Sequence, residues 1–168
     1  PEDFAYRTFL HEPTRCERLD FSPQIEFSPS TYEPDSSSGL SLGVDLPRDL
    51  PPGGSDVPPL KEATITLPAG MSVNPATANG LVGCAPEQIG LRGTDFAPPS
   101  PIRFSDEEAH CPNASKIGVG VVDTPLVESS SRATVFFATP YRNPFGSLLA
   151  VYLVIENEAF TIKLAARI

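Results

Sequence analysis

The chain contains no tryptophan, one methionine and two histidines in 168 residues. Without tryptophan the broadest stacking platform for sugars or bases is missing, and the four tyrosines, Tyr6, Tyr32, Tyr141 and Tyr152, are dispersed. The histidines, His11 and His110, stand far apart, and the three cysteines, Cys16, Cys84 and Cys111, include no Cys-x-x-Cys pair. Zinc-ligand spacing is therefore absent, and no metal or other cofactor is expected. The longest apolar run, Leu148 to Ile155, is far short of the ~20 residues a membrane-crossing helix needs, and it reads as a buried strand with both faces covered. The opening PEDFAYRTFL has neither the basic region nor the apolar stretch of a signal peptide, and Pro1 follows no initiator methionine. The chain is accordingly expected to be a mature or excised piece of a longer one.

Positive charge is scarce as well. Twelve Lys and Arg face 21 Asp and Glu, a formal net charge of −9, with the excess of acids concentrated in the first third. An acidic surface repels phosphate backbones, and no Lys/Arg cluster interleaved with aromatics occurs, so a nucleic-acid partner is not expected. Proline and glycine, by contrast, are abundant at 20 and 12 residues, which favours many turns and little helix. At this length one domain with one core is expected.

Residues 1–23 read as an N-terminal arm whose FAYRTFL segment carries Phe4, Tyr6, Phe9 and Leu10 ahead of a Pro-rich break. These apolar side chains have no local partner and would suit assembly with a neighbour. Residues 24–168 read as the folded domain. Gln24 to Phe27 begins an extended run, and in Leu40 to Leu46 the apolar Leu40, Leu42, Val44 and Leu46 alternate with polar or small residues, a half-buried strand. ATITL, with its β-branched residues, suits a further strand. Over 68–114 the period of two is lost. PATANGL suggests a helical turn ending near Gly80, and APEQIGL places Pro86 at a helix start with Gly90 as its stop. In SDEEAHC, Ser105 and Glu108 have the spacing of a capping box, which predicts a third short helix. The acids there lack the Asp-x-Asp-x-Asp-Gly pattern of a calcium loop.

Beyond Pro112 and Asn113, which make a turn, Ile117, Val119 and Val121 alternate with Lys116, Gly118 and Gly120 in a strand. Arg132 to Thr139, Leu148 to Ile155 and Phe160 to Ile168 supply three more, separated by turn clusters. Seven or eight short strands with punctuated connections predict an all-β protein, an antiparallel, immunoglobulin-like β-sandwich with short helical turns in a long insertion. An odd number of cysteines in an oxidising compartment predicts one bridge and one remainder. Cys84 and Cys111 flank the loop-rich stretch that gains most from a staple, and closing it contributes roughly 3–4 kcal/mol on the chain-entropy estimate. Three buried thiols in a reducing compartment are the alternative.

LKEATITLPAG, NPATANGLVGCAPEQ, CPNASKIG and TPYRNPFGSLLAVYLV together resemble large, exported, multi-module proteins of high-GC Gram-positive soil bacteria, over roughly 60–168. That family has no established activity to carry over. The resemblance implies export, a Cys84–Cys111 bridge and tandem β-sandwich modules at the cell surface or outside the cell. It also implies that Cys16, in CERLDFSP, is the second cysteine of a preceding module.

Catalysis finds little material. The chain has no Gly-x-Ser-x-Gly or His-Glu-x-x-His motif, and His110 adjoins Cys111, where neighbouring side chains diverge, so no enzyme is expected and no catalytic residue is assigned. Lys61, Lys116 and Lys163, the only lysines, have no evident partner for an isopeptide cross-link. The function expected is that of a structural or adhesive module of a secreted or cell-surface protein, self-associating or joining adjacent modules by strand addition. The alternative is a carbohydrate-binding module, with the loop residues Tyr141, Arg142 and Asn143 as its candidate ligand site.

Overall fold

The computed structural model describes residues 21–46, 64, 66, 82–94, 102–124, 127 and 129–168. Phe4, Tyr6, Phe9, Leu10, Cys16 and the helical turn expected near Gly80 lie outside the described residues. Of the ATITL run only Thr64 and Thr66 are described, both exposed and outside any strand. The chain divides into two compact units, Pro1–Thr66 and Leu67–Ile168. That division falls inside the 24–168 span expected to share one core.

In the first unit, β1 (Gln24–Pro29) pairs antiparallel with β2 (Leu40–Asp45). The register sets Ile25 opposite Val44 and Phe27 opposite Leu42, so one face of the ribbon is apolar and the other carries Glu26, Ser28 and Ser41. The connection is closed by hydroxyls: Ser38 Oγ accepts from the Ser30 and Thr31 amides at 3.1 and 3.3 Å. The alternation expected in Leu40 to Leu46 is present, yet Leu40, Leu42 and Val44 are exposed, not half-buried.

The second unit is built on four strands in sequence order, β5 (Lys116–Val122), β6 (Ser131–Phe137), β7 (Ala150–Glu156) and β8 (Thr161–Arg167), each antiparallel to the next. Ahead of them come α1 (Pro86–Ile89), β3 (Leu91–Gly93) and β4 (Arg103–Phe104), the last two forming a small antiparallel pair. Pro86 opens α1 with no amide to lose, and Gly90 closes it in the left-handed region at φ 79°, the start and stop expected from the sequence. The Ala85 amide donates to Gln88 Oε1 at 2.8 Å and satisfies one orphan donor of the helix start.

The core cluster lies between one face of the sheet and residues 84–94 and 102–111. Ala150, Tyr152 and Val154, alternate residues of β7, are buried together with Cys84, Ile89 and Ala138. Leu91, Phe104, Ala109 and Cys111 pack against this cluster, and the Phe104 ring meets Tyr152 edge-to-face with centroids 6.1 Å apart. Cys84 runs beside the end of β6, its amide donating to the Phe137 carbonyl at 2.8 Å and its carbonyl accepting from the Thr139 amide at 3.0 Å. The approach is so close that a Cβ on Gly83 would lie 2.5 Å from Thr139 Cα. The Cys84–Cys111 disulfide ties both ends of the covering segment together, with Cα atoms 5.0 Å apart. The fold is thus all-β and antiparallel, a sandwich left open among the described residues because its second layer is the disulfide-pinned segment.

Three expectations need correction. SDEEAHC forms no helix: the Ser105 and Glu107 carbonyls face the Lys163 ammonium, not an amide four residues on, and the His110 amide donates to the Gln88 carbonyl at 2.7 Å. The strand expected from Leu148 starts at Ala150, with Leu148 exposed in the preceding turn. Finally, β7 is fully covered on one face alone; Val151, Leu153 and Ile155 on the other are half-buried.

Candidate functional site

The connection between β6 and β7 holds Tyr141, Arg142 and Asn143, and the three have separate roles. Asn143 is its organiser. Its Nδ2 donates to the Thr139 and Ser147 carbonyls at 3.2 and 2.7 Å, and its Oδ1 accepts from the Phe145 and Ser147 amides at 3.2 Å each. With both ends of the amide consumed, Asn143 has little left for a ligand. Arg142 reaches across to Glu87 on α1 in an ion pair of 3.1 Å with both side chains well exposed. Tyr141 is 68% exposed and adopts φ 58°, a left-handed backbone unusual for a bulky residue. Its amide bond to the Ser147 carbonyl, 2.9 Å, helps to hold it there. Pro140 and Pro144, on either side of these three residues, suit a rigid turn; the consumption of the Asn143 side chain had no sequence signal beyond that residue's general suitability for turns.

A second location went unnoticed in the sequence. Ile102 to Asp106 and β8 border an open cleft of about 260 Å³ in which Arg103, Ser105, Thr161 and Lys163 meet. Lys163 Nζ donates to the Ser105 carbonyl at 3.0 Å and to the Glu107 carbonyl. Desolvation lowers the Lys163 pKa, while the carboxylates of Glu107 and Asp106 act in the opposite direction. Ser105 Oγ is buried without a hydrogen-bond partner. A serine and a lysine side by side invite comparison with a nucleophile and its base, but the hydroxyl makes no bond to the ammonium, which is committed to two carbonyls. The arrangement fastens β8 to the covering layer. Tyr152 beneath it also has a hydroxyl buried without a partner, and burial, with a smaller contribution from Glu87, pushes its pKa up to about 12.

Among the described residues no three His, Cys, Asp or Glu side chains converge as metal ligands, and no helix is long and apolar enough to cross a membrane. Comparison with protein-family models, curated proteins and solved structures returns no match.

Proposed function

We propose that the chain is a structural or adhesive module of an extracellular or cell-surface protein, joined to neighbouring modules or copies by strand addition. The observation that carries this reading is the outer edge of β8. It is a regular seven-residue strand along which no other strand lies among the described residues, and Ile162 and Leu164 are exposed on it. Exposed edges of this kind are templates for a further strand. The disulfide supports an oxidising compartment. The arm carrying Phe4, Tyr6, Phe9 and Leu10 is a proposed strand donor. Deleting residues 1–10 and measuring solution size alongside β-sheet content tests it: the assembly should shrink while the fold is retained. A monomeric intact chain contradicts the assembly reading, and loss of the fold on deletion assigns the arm to its own core.

The exposed, left-handed Tyr141 beside Arg142 favours a second reading, a sugar-binding surface on the loop, since strained exposed residues gather at functional sites. Retention on insoluble polysaccharide that is lost in Tyr141→Ala would establish it, and no retention would remove it.

A further inference from the structure

We infer that β8 is a homotypic docking edge, at which two copies pair antiparallel about a two-fold axis through Leu164 to make one continuous eight-stranded sheet. The inference rests on the assembly reading above and gives the β8 edge a second β8, in place of the N-terminal arm, as its occupant.

Hydrogen-bond parity fixes which main-chain groups of β8 are available. At the end of the β6–β7 ladder the Ala138 amide donates to the Ala150 carbonyl, and at the end of the β7–β8 ladder the Ile168 amide donates to the Leu149 carbonyl. Antiparallel neighbours exchange these bonds at every second residue. Ile162, Leu164 and Ala166 therefore turn their amides and carbonyls toward β7, while Thr161, Lys163, Ala165 and Arg167 turn theirs to the open edge.

The two edges of the sheet differ in readiness. β5 has a register shift between Lys116 and Gly118, and such bulges twist an edge away from pairing. β8 keeps an unbroken register from Ala150 opposite Arg167 to Glu156 opposite Thr161. A lysine on an edge ordinarily guards it, but the Lys163 ammonium is drawn onto the Ser105 and Glu107 carbonyls over the covered face.

Charge and strand length then select the register. With the axis at Leu164, Thr161 faces the partner's Arg167, Lys163 faces the partner's Ala165, Ile162 faces the partner's Ala166, and Leu164 faces its own copy. All seven residues are paired, the outward groups meet outward groups, and no like charges stand directly opposite. A shift of the axis to Lys163 sets two lysines face to face, and a shift to Ala165 sets Lys163 against the partner's Arg167; like charges directly opposite are destabilising. Of the registers in which outward groups meet outward groups, the one with its axis at Leu164 alone pairs all seven residues with no like charges directly opposite, and that self-pairing makes a second copy the occupant. Pairing in that register also joins the exposed Ile162 and Leu164 of both copies into one apolar row.

Substitutions at Leu164 test the pairing in the full chain, because its side chain is 48% exposed and a charge there is compatible with the isolated fold. Leu164→Glu and Leu164→Lys each place like charges across the axis. Each variant alone should sediment at half the assembly size of the unaltered chain, with unchanged β-sheet content, and an equimolar mixture of the two should regain the full size. Variants that sediment like the unaltered chain, or a mixture that fails to reassociate, overturn the pairing. A size indifferent to Leu164 but reduced by removing residues 1–10 overturns it too, leaving the arm as donor, whereas an unaltered chain that is already monomeric removes the assembly reading itself.

Discussion

On one face of β7, Ala150, Tyr152 and Val154 are closed off by Cys84, Ile89 and the residues that follow them; on the other, Val151, Leu153 and Ile155 are only half-buried. Both sets are apolar, so hydrophobicity alone does not mark the core face. The difference comes from the covering segment, whose described residues form one short helix and two strand fragments held in place by a disulfide. Cys84 and Ile89 of that segment join Ala138 and the three β7 residues in one buried cluster. The two edges differ as well: β8 is tied to the covering layer through Lys163 and stays regular, while β5 is bulged.

Like-for-like substitutions on the two faces should separate them most widely. Val154→Asp buries an unpaired charge against Ile89 and its neighbours and is expected to cost about 4 kcal/mol or more in denaturant unfolding, whereas Val151→Asp on the half-buried face should cost about 1–2 kcal/mol. Equal costs would mean that the second face is as closed as the first. Breaking the bridge comes next. For a sequence separation of 27, Cys84→Ala with Cys111→Ala should remove about 3.5 kcal/mol, read as a lower unfolding midpoint. No change would detach the covering segment from the cooperative core.

In the β6–β7 loop, Asn143→Ala removes four hydrogen bonds, including the one acceptor shared by the Phe145 and Ser147 amides, and should cost about 2 kcal/mol. Arg142→Ala, which loses an exposed ion pair, should fall within ~0.5 kcal/mol. The reverse order would make Arg142 the structural residue. An effect of opposite sign is expected at Tyr152→Phe, which removes a buried hydroxyl with no partner and should stabilise by about 1 kcal/mol. The same substitution should alter alkaline behaviour. Because the folded pKa of Tyr152 is raised from 10.0 to about 12, the fold holds the proton that the unfolded chain releases, and stability should decline as pH rises between those values. Melting curves across that range should show the decline in the unaltered chain and less of it in the Phe variant.

The strands were largely legible. Alternation and β-branching located β6, β7 and β8 to within a few residues, and Pro86 and Gly90 marked both ends of α1. What periodicity could not report was which apolar faces would be covered. Val119 and Val121 alternate as correctly as any core strand, yet lie 68% and 70% exposed, because burial depends on how far a separate segment extends. The failed helix at SDEEAHC has a similar origin: a capping-box spacing is local information, overridden by a lysine 58 residues away from Ser105 that takes the carbonyls a helix would use. In the candidate loop the residue types were readable, but only the bonding of Asn143 separates the organiser from the exposed Tyr141.

The Cys84–Cys111 bridge links the fold to the compartment, and thiol titration of the denatured, unreduced protein tests it most directly. With the bridge formed, no more than one of the three cysteines should react; three reactive thiols per chain would contradict both the pinned covering layer and an oxidising destination.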